Sequence, residues 1–118
     1  IKKGINGVRE AIEYIKKDFS IALMIDQRVS EGEKINFFDK PALTTTLPAQ
    51  LSMKYNLPII PVFIERVNEK DFKLKFYSEI SPTNFTNKID LSIKINEIFE
   101  KIITRNPNQW IWTHNRWK

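Results

Sequence analysis

The 118-residue sequence contains no cysteine, so it can form neither a disulfide nor a thiolate metal site. Its single histidine, His114, has no second histidine to share a metal ion, and we therefore predict no metal centre and no bound cofactor. Three glycines are too few for a glycine-rich phosphate loop. No apolar run approaches the roughly 18 residues that a membrane-spanning helix needs. These absences exclude the redox, zinc-binding and nucleotide-binding classes that such motifs mark.

Positive charge is the clearest compositional feature. Nineteen lysines and arginines face fourteen acids, which gives a net charge of +5 and a pI near 9.5. A basic balance suits phosphates, membrane surfaces and acidic carrier proteins. The alternative is a lysine-rich solvated surface without a functional role. Nucleic acid is not an expected partner, because the cations are interspersed with acids and form no basic stripe.

Two short apolar runs, residues 20–25 and 58–64, organise the central part of the chain. Runs of this length that are rich in β-branched residues predict buried strands. The segment 45–55 between them predicts one helix, with the threonines at its start as N-caps. Strand, helix and strand in this order predict a parallel pair. Pro61 cannot donate to a strand ladder, so we expect a bend or bulge there.

The remaining elements complete a layered α/β fold. Residues 72–80 alternate apolar and charged side chains, which predicts an antiparallel strand after a turn. Apolar residues at helical spacing predict helices over 5–17 and 88–104. We therefore expect a single domain over 1–118, with a mixed, partly parallel sheet flanked by helices.

Polar residues follow both predicted parallel strands at their carboxyl ends, where open α/β sheets bind ligands. They are Asp26, Gln27, Arg28 and Arg66. Asp26 serves either as a base or an orienting carboxylate, or as a cap of the next turn. We predict that Asp26 and Arg66 point into one cleft and that Arg66 meets an anionic group.

The connection 26–41 is long and contains two adjacent phenylalanines, Phe37 and Phe38. Long loops in compact domains are often functional. The segment is either a flap folded on the core or one wall of an apolar ligand site. Thr44 begins a run of three threonines, which either cap the next helix or present hydroxyl groups to an anion.

The last ten residues carry all three tryptophans and the histidine. One interpretation is that Trp110 and Trp112 pack on the core while His114 and Arg116 are exposed. The other places the tryptophans at a membrane surface, with Arg116 and Lys118 on lipid phosphates. We predict a helical turn over 107–112, packing of one of these tryptophans on the sheet domain, and His114 and Arg116 on the side of Arg66.

These motifs, in their order along the chain, match a known family. They are Ile25-Asp26-Gln27, Gly32, Phe37-Phe38, Ala42-x-Thr44, Pro58-Ile-Ile-Pro61, Arg66, and Pro107-x-Gln109-Trp110-x-Trp112-x-His114-x-Arg116-Trp117-Lys118. The chain resembles, from about Gly7 to Lys118, the late lauroyl and myristoyl transferases of lipid A biosynthesis, within the lysophospholipid acyltransferase superfamily. The closing tryptophan-rich motif is the most specific part.

The resemblance implies transfer of a fatty acyl group from acyl carrier protein to a hydroxyl of a Kdo-bearing lipid A precursor, on the cytoplasmic face of the bacterial inner membrane. Ile25-Asp26-Gln27-Arg28 resembles the superfamily's third motif, which helps to hold the acceptor, and Ile60-Pro61-Val62 resembles the fourth. Asp39 stands where glycine is usual after Phe-Phe. The candidate substrate-binding residues are Asp26, Gln27, Arg28, Phe38, Thr44, Arg66, His114 and Arg116.

The superfamily's catalytic base is a histidine followed by an acid four residues later. No such pair occurs here, and the chain begins at Ile1, not at methionine. We therefore expect the C-terminal part of an enzyme whose preceding part holds the catalytic pair and a membrane anchor. Two alternatives stay open: an acyltransferase for another glycolipid, such as phosphatidylinositol mannoside, and a non-catalytic basic module that binds membranes.

Overall fold

The computed structural model of the protein describes residues 4–118, except for the side chain of Ile5. Three α-helices form: α1 (Ile5–Ile15), α2 (Leu47–Tyr55) and α3 (Lys88–Arg105). Four strands form two hairpins: β1 (Glu33–Phe37) with β2 (Lys40–Thr44), and β3 (Val62–Arg66) with β4 (Phe72–Phe76). Short 3₁₀ turns cover Pro82–Asn84 and Pro107–Gln109. The predicted combination of helices and strands is thus confirmed, and so is each predicted helix.

Helix α3 contributes to both clusters of the hydrophobic core, and local sequence explains where it begins. The Asn87 side chain caps it by accepting hydrogen bonds from the backbone N–H groups of Ile89 and Asp90. One cluster joins Leu91 and Ile95 of α3 to Ala49 of α2 and to Ile80. A second cluster joins Ile103 of α3 to Phe37 and Ala42 of the first hairpin. Helix α3 therefore connects α2 to the β1–β2 hairpin.

The predicted parallel pair does not form. Within residues 4–118 both sheets are two-stranded and antiparallel, and residues 20–25 form no strand. Met24 is 90% exposed in this run, although Ile25 packs on the core. An apolar run becomes a strand only where a second strand satisfies its N–H and C=O groups. No described strand lies beside this run, and so the expected parallel topology is corrected to two separate hairpins.

The second predicted parallel strand is displaced by its prolines. Ile59 makes an isolated antiparallel bridge to Ile80, and the regular ladder resumes only at Val62. Between them the Pro61 carbonyl accepts a hydrogen bond from the Tyr77 N–H group at 3.0 Å. The expected interruption at Pro61 is therefore confirmed, as is the antiparallel strand that follows it.

Residues 33–44 form a hairpin, although the sequence predicts an irregular connection over 26–41. Strands β1 and β2 join through a two-residue turn, Phe38 and Asp39, and both residues have left-handed backbones, with φ values of 51° and 58°. The type I′ turn of a two-residue hairpin requires a positive φ at both positions, and Asn-Gly is the usual signal for it. This turn has neither asparagine nor glycine, which explains why the hairpin escaped prediction.

Candidate functional site

Arg116, from the tail, is the most deeply buried charged residue described, with 1% of its surface exposed. Its Nη1 donates to the Leu43 carbonyl at 2.7 Å, and its Nη2 donates to the Thr44 hydroxyl at 2.8 Å. Its guanidinium also lies 5.2 Å from the centre of the Phe37 ring. The expectation that Arg116 would be exposed is therefore wrong: burial of the guanidinium is compensated by charge-assisted hydrogen bonds and an aromatic face.

Burial lowers the pKa of Arg116, and the nearby Asp26 carboxylate acts in the opposite direction. The guanidinium stays charged, because the pKa of arginine begins far above neutral pH. Its Nε is buried and has no hydrogen-bond partner among the described residues. Oxygens of strand β2 hold the Arg116 guanidinium directly, whereas the Asp26 carboxylate favours its charge without forming an ion pair to it among the described residues.

Segment 26–32 begins at Asp26 and lies against the end of strand β2. The Val29 N–H group donates to the Leu43 carbonyl at 3.4 Å, and Arg28 Nε donates to the backbone carbonyl of Lys118. Gly32 comes so close that a Cβ atom there would lie 2.7 Å from the backbone N and O of Thr44. Only glycine allows this approach. The structure thus brings together Asp26, Arg28, Thr44 and Arg116 from the predicted set.

Aromatic rings of the tail pack on the first hairpin. Trp110 meets the Phe37 ring edge-on at 5.9 Å, and Trp117 stacks on the same ring at 5.9 Å. The indole N–H of Trp117 donates to the Phe37 carbonyl at 2.8 Å. The predicted packing of Trp110 on the sheet domain is confirmed, whereas Trp112 is 55% exposed. Of Trp110 and Trp112, only Trp110 therefore packs on the core.

The Phe37-Phe38 pair divides between the core and the surface. Phe37 is 1% exposed, and Phe38 is half-buried beside it in an edge-to-face arrangement. The Phe38 N–H group donates to the Glu100 carboxylate at 2.8 Å. Since φ is positive at Phe38, this bond from α3 helps to hold an unfavourable backbone. The flap interpretation applies to Phe37, and Phe38 lines a shallow groove with Glu100, Lys101, Thr104 and Arg105.

Arg66 lies elsewhere, at the end of strand β3. Its guanidinium lies 4.9 Å from the centre of the Phe72 ring, and Gln109 Nε2 donates to its backbone carbonyl. A groove beside it is lined by Ile64, Arg66, Phe72, Asn108 and Gln109. Asp26 does not line this groove, and no hydrogen bond or ion pair among the described residues joins Asp26 to Arg66. The tail nevertheless reaches both places, through Gln109 at one and Arg116 at the other.

The two other predicted residues are exposed. Gln27 is exposed beside Asp26, and His114 is exposed in the tail, where its backbone N–H donates to the Ile111 carbonyl. Within residues 4–118 no cluster of histidine, aspartate or glutamate is suited to holding a metal ion. The candidate residues that the structure describes thus carry charged and hydrogen-bonding groups.

The family assignment comes from comparison with known families. A family model described as "Bacterial lipid A biosynthesis acyltransferase" matches residues 2–118, almost the entire chain. The chain belongs to this family. The resemblance found in the sequence motifs is thus confirmed. No curated protein matches the chain.

Membership assigns the chain an acyltransferase-type function in bacterial lipid A biosynthesis and a glycolipid of that pathway as acceptor. It also indicates a membrane-associated protein. Over residues 4–118, the helices are all too short or too polar to cross a bilayer.

Several residues around the candidate site were not predicted. Glu100 holds the Phe38 turn, Asn96 donates to the Asn36 carbonyl, and Asn108 lines the Arg66 groove. Glu100 and Asn96 lie on α3, where helical spacing predicts faces but not which polar residue meets a distant backbone group. Asn108 lies within the tail motif, between Pro107 and Gln109, and this position was the one sequence signal that could have identified it.

Proposed function

We propose that the chain is the C-terminal part of an acyltransferase that moves a fatty acyl group from acyl carrier protein to a hydroxyl of a Kdo-bearing lipid A precursor. The reaction takes place at the cytoplasmic face of the bacterial inner membrane. The observation that carries the proposal is the family match over residues 2–118. The net charge of +5 supports it, because the acyl carrier protein, the phosphorylated acceptor and the membrane surface are all anionic.

The chemistry needs a base that this chain does not contain. In the superfamily a histidine, oriented by an acid four residues on, takes the proton of the acceptor hydroxyl. The hydroxyl oxygen then attacks the thioester carbonyl carbon, a C–O bond forms, and the C–S bond breaks. The carrier thiolate leaves and takes up a proton. His114 has no acid four residues later and is solvent-exposed, so we assign it to binding.

Exposed apolar surface supports a preceding part that completes the domain. One face of the β3–β4 hairpin carries five apolar side chains that are 40% to 68% exposed: Val62, Ile64, Phe72, Leu74 and Phe76. The run 19–25 exposes Phe19 and Met24 as well. Two-stranded hairpins are marginal alone, and contiguous exposed apolar patches mark contact surfaces. We infer that the residues holding the catalytic pair pack here.

The residues of this chain then bind the acceptor. The Arg66 groove combines a guanidinium with the side chains of Asn108 and Gln109, which suits a phosphate group. Asp26, Gln27 and Arg28 present one carboxylate, one amide and one cation for hydroxyl groups and a second anion. Phe38 lines its own groove beside α3, and His114 is exposed in the tail, whereas Thr44 and Arg116 are buried and act through the groups they hold.

The test is an acyl-transfer assay with acyl carrier protein thioester and a Kdo-bearing lipid A precursor. The complete product of the gene that encodes this chain should acylate the precursor, and the 118-residue chain alone should not. Turnover by the 118-residue chain would contradict the proposal that the catalytic base lies outside it. Transfer only to phosphatidylinositol mannoside would favour the other glycolipid, and vesicle binding without any transfer would favour the non-catalytic module.

Arg66→Ala in the complete protein tests the groove. We expect the acceptor KM to rise, or kcat/KM to fall, with unchanged thermal stability, because a lost charge-assisted contact costs about 1.5–3 kcal/mol. The matched control is Lys73→Ala, on the opposite face of the same hairpin. Unchanged kinetics in Arg66→Ala would remove Arg66 from the site.

A further inference from the structure

The tail and segment 26–32 both contact Leu43 and Thr44, the last two residues of strand β2. The Leu43 carbonyl accepts hydrogen bonds both from Arg116 Nη1, at 2.7 Å, and from the Val29 N–H group, at 3.4 Å. The next residue, Thr44, accepts the second arginine bond and meets Gly32 in close contact. Displacing the Arg116 guanidinium therefore directly disturbs the two residues that segment 26–32 contacts.

A second connection joins the tail to the segment. Arg28 Nε donates to the Lys118 carbonyl, two residues beyond Arg116. The Asp26 carboxylate is close enough to Arg116 to stabilise its charged form. The two ends of the Asp26-Gln27-Arg28 triplet are therefore each coupled to the last three residues of the chain, and Gln27 between them is left exposed.

We propose that Arg116 is a positioning residue that fixes segment 26–32 in the geometry in which Asp26, Gln27 and Arg28 hold the acceptor. This inference rests on the proposed function for the identity of the acceptor. It assigns the tail a role beyond packing: its rings anchor it to Phe37, and its arginine sets the place of a distant binding segment.

The first experiment measures the position of the segment without any assay of activity. Three variants weaken these contacts: Arg116→Met, Arg116→Lys, and Thr44→Val, which removes the hydroxyl that accepts from Arg116 Nη2 and donates to the Ala42 carbonyl. Arg9→Met is the matched control, because Arg9 is exposed on α1. In amide nuclear magnetic resonance spectra of the protein, we expect shifted or broadened signals for 26–32 in the three variants. Signals of the β3–β4 hairpin should not change.

The second experiment separates positioning from simple stability. In the complete enzyme, Arg116→Met should raise the acceptor KM about tenfold, with kcat and the thioester KM within about twofold, since only acceptor binding loses its preorganised segment. Arg116→Lys should restore part of the loss, because lysine keeps the charge but not the two-pronged donor geometry. If Arg116→Met does not fold, Arg116→Lys and Thr44→Val provide the same comparison.

Unchanged amide signals for 26–32 in all three variants would overturn the proposal. It would also be overturned if the apparent kcat fell in proportion to lost folded protein while the acceptor KM and the thioester KM stayed unchanged, with no rescue by lysine. Absence of acyl transfer by the unmodified complete protein is a separate result: it would contradict the proposed function, while the amide signals would still decide whether Arg116 positions the segment.

Discussion

The two hairpins have the same size and pairing but opposite environments. Each consists of two five-residue antiparallel strands. The inner face of β1–β2 is buried against α3 and the tail, and Phe37 is 1% exposed. The apolar face of β3–β4 lies open, and Phe76 is 68% exposed. Alternation of side chains along the strands therefore does not specify which hairpin obtains a partner.

The difference comes from contacts between distant parts of the chain. Side chains of α3 and the tail form hydrogen bonds to the β1–β2 hairpin across sequence separations of 60 to 80 residues. They are Asn96, Glu100, Arg116 and Trp117. The interactions of β3–β4 are mostly local, such as the Glu65–Lys75 ion pair and the Asn68 turn. Exposed ion pairs and turns contribute little stability. The first hairpin is thus a fixed part of the core, whereas the second depends on what covers it.

Removing the tail is expected to have the largest effect on this contrast. Deletion of 107–118 takes away Trp110, Arg116 and Trp117 together, and exposes the Phe37 cluster. We expect loss of the cooperative unfolding transition measured by circular dichroism. Ile111→Ser is the control, since Ile111 is exposed in the same tail. An unchanged transition after the deletion would show that the tail is dispensable and that its packing role is wrong.

Truncating one phenylalanine in each hairpin compares the two environments directly. In the 118-residue chain, Phe37→Ala should lower the free energy of unfolding by about 3–5 kcal/mol, because it leaves a cavity at a fully buried ring. Phe76→Ala should change it by less than about 0.5 kcal/mol. Urea denaturation measures both. Equal losses would mean that the apolar face of β3–β4 is not open in solution.

The elements predicted correctly are those whose signal is contained in a short window. Helices α1, α2 and α3 follow from apolar spacing and from caps such as Asn87, and strand β4 follows from alternation. The run 20–25 also has a strand's composition, but a strand needs a neighbour, and composition does not supply one. The hairpin at Phe38 and Asp39 lacks the glycine or asparagine that marks such a turn.

Four of the residues named from the sequence lie near one another, in an arrangement that the sequence does not predict. Asp26, Arg28, Thr44 and Arg116 were all named from the sequence, and the structure brings them together. The burial of Arg116 was missed because arginine is almost always exposed unless it is paired. Its partners, the Leu43 carbonyl and the Thr44 hydroxyl, lie more than 70 residues earlier in the chain. Only the folded tail makes that pairing visible.

Two tryptophan hydrogen bonds give a smaller test of the same contrast. Trp117→Phe removes the indole donor to the Phe37 carbonyl in a partly buried setting, and we expect a loss of about 1–2 kcal/mol in unfolding free energy. Trp112→Phe removes the donor to the Pro107 carbonyl, where water can replace it, and the loss should stay under about 0.5 kcal/mol. If Trp112→Phe costs as much, the exposed side of the tail is better packed than the contacts indicate.

The smallest expected effect concerns the two hairpin turns, and its sign is the informative part. Asp39→Gly should stabilise the protein by up to about 1 kcal/mol, because Asp39 has a φ of 58° and glycine adopts this backbone without a steric penalty. Glu69→Gly, in the turn between β3 and β4, should instead cost a few tenths of a kcal/mol, since Glu69 does not have a positive φ and glycine only adds freedom to the unfolded chain. Thermal unfolding of both variants measures the difference. If Asp39→Gly is destabilising, the aspartate stabilises the turn by more than its strain, and the departure from the family's glycine has its own structural reason.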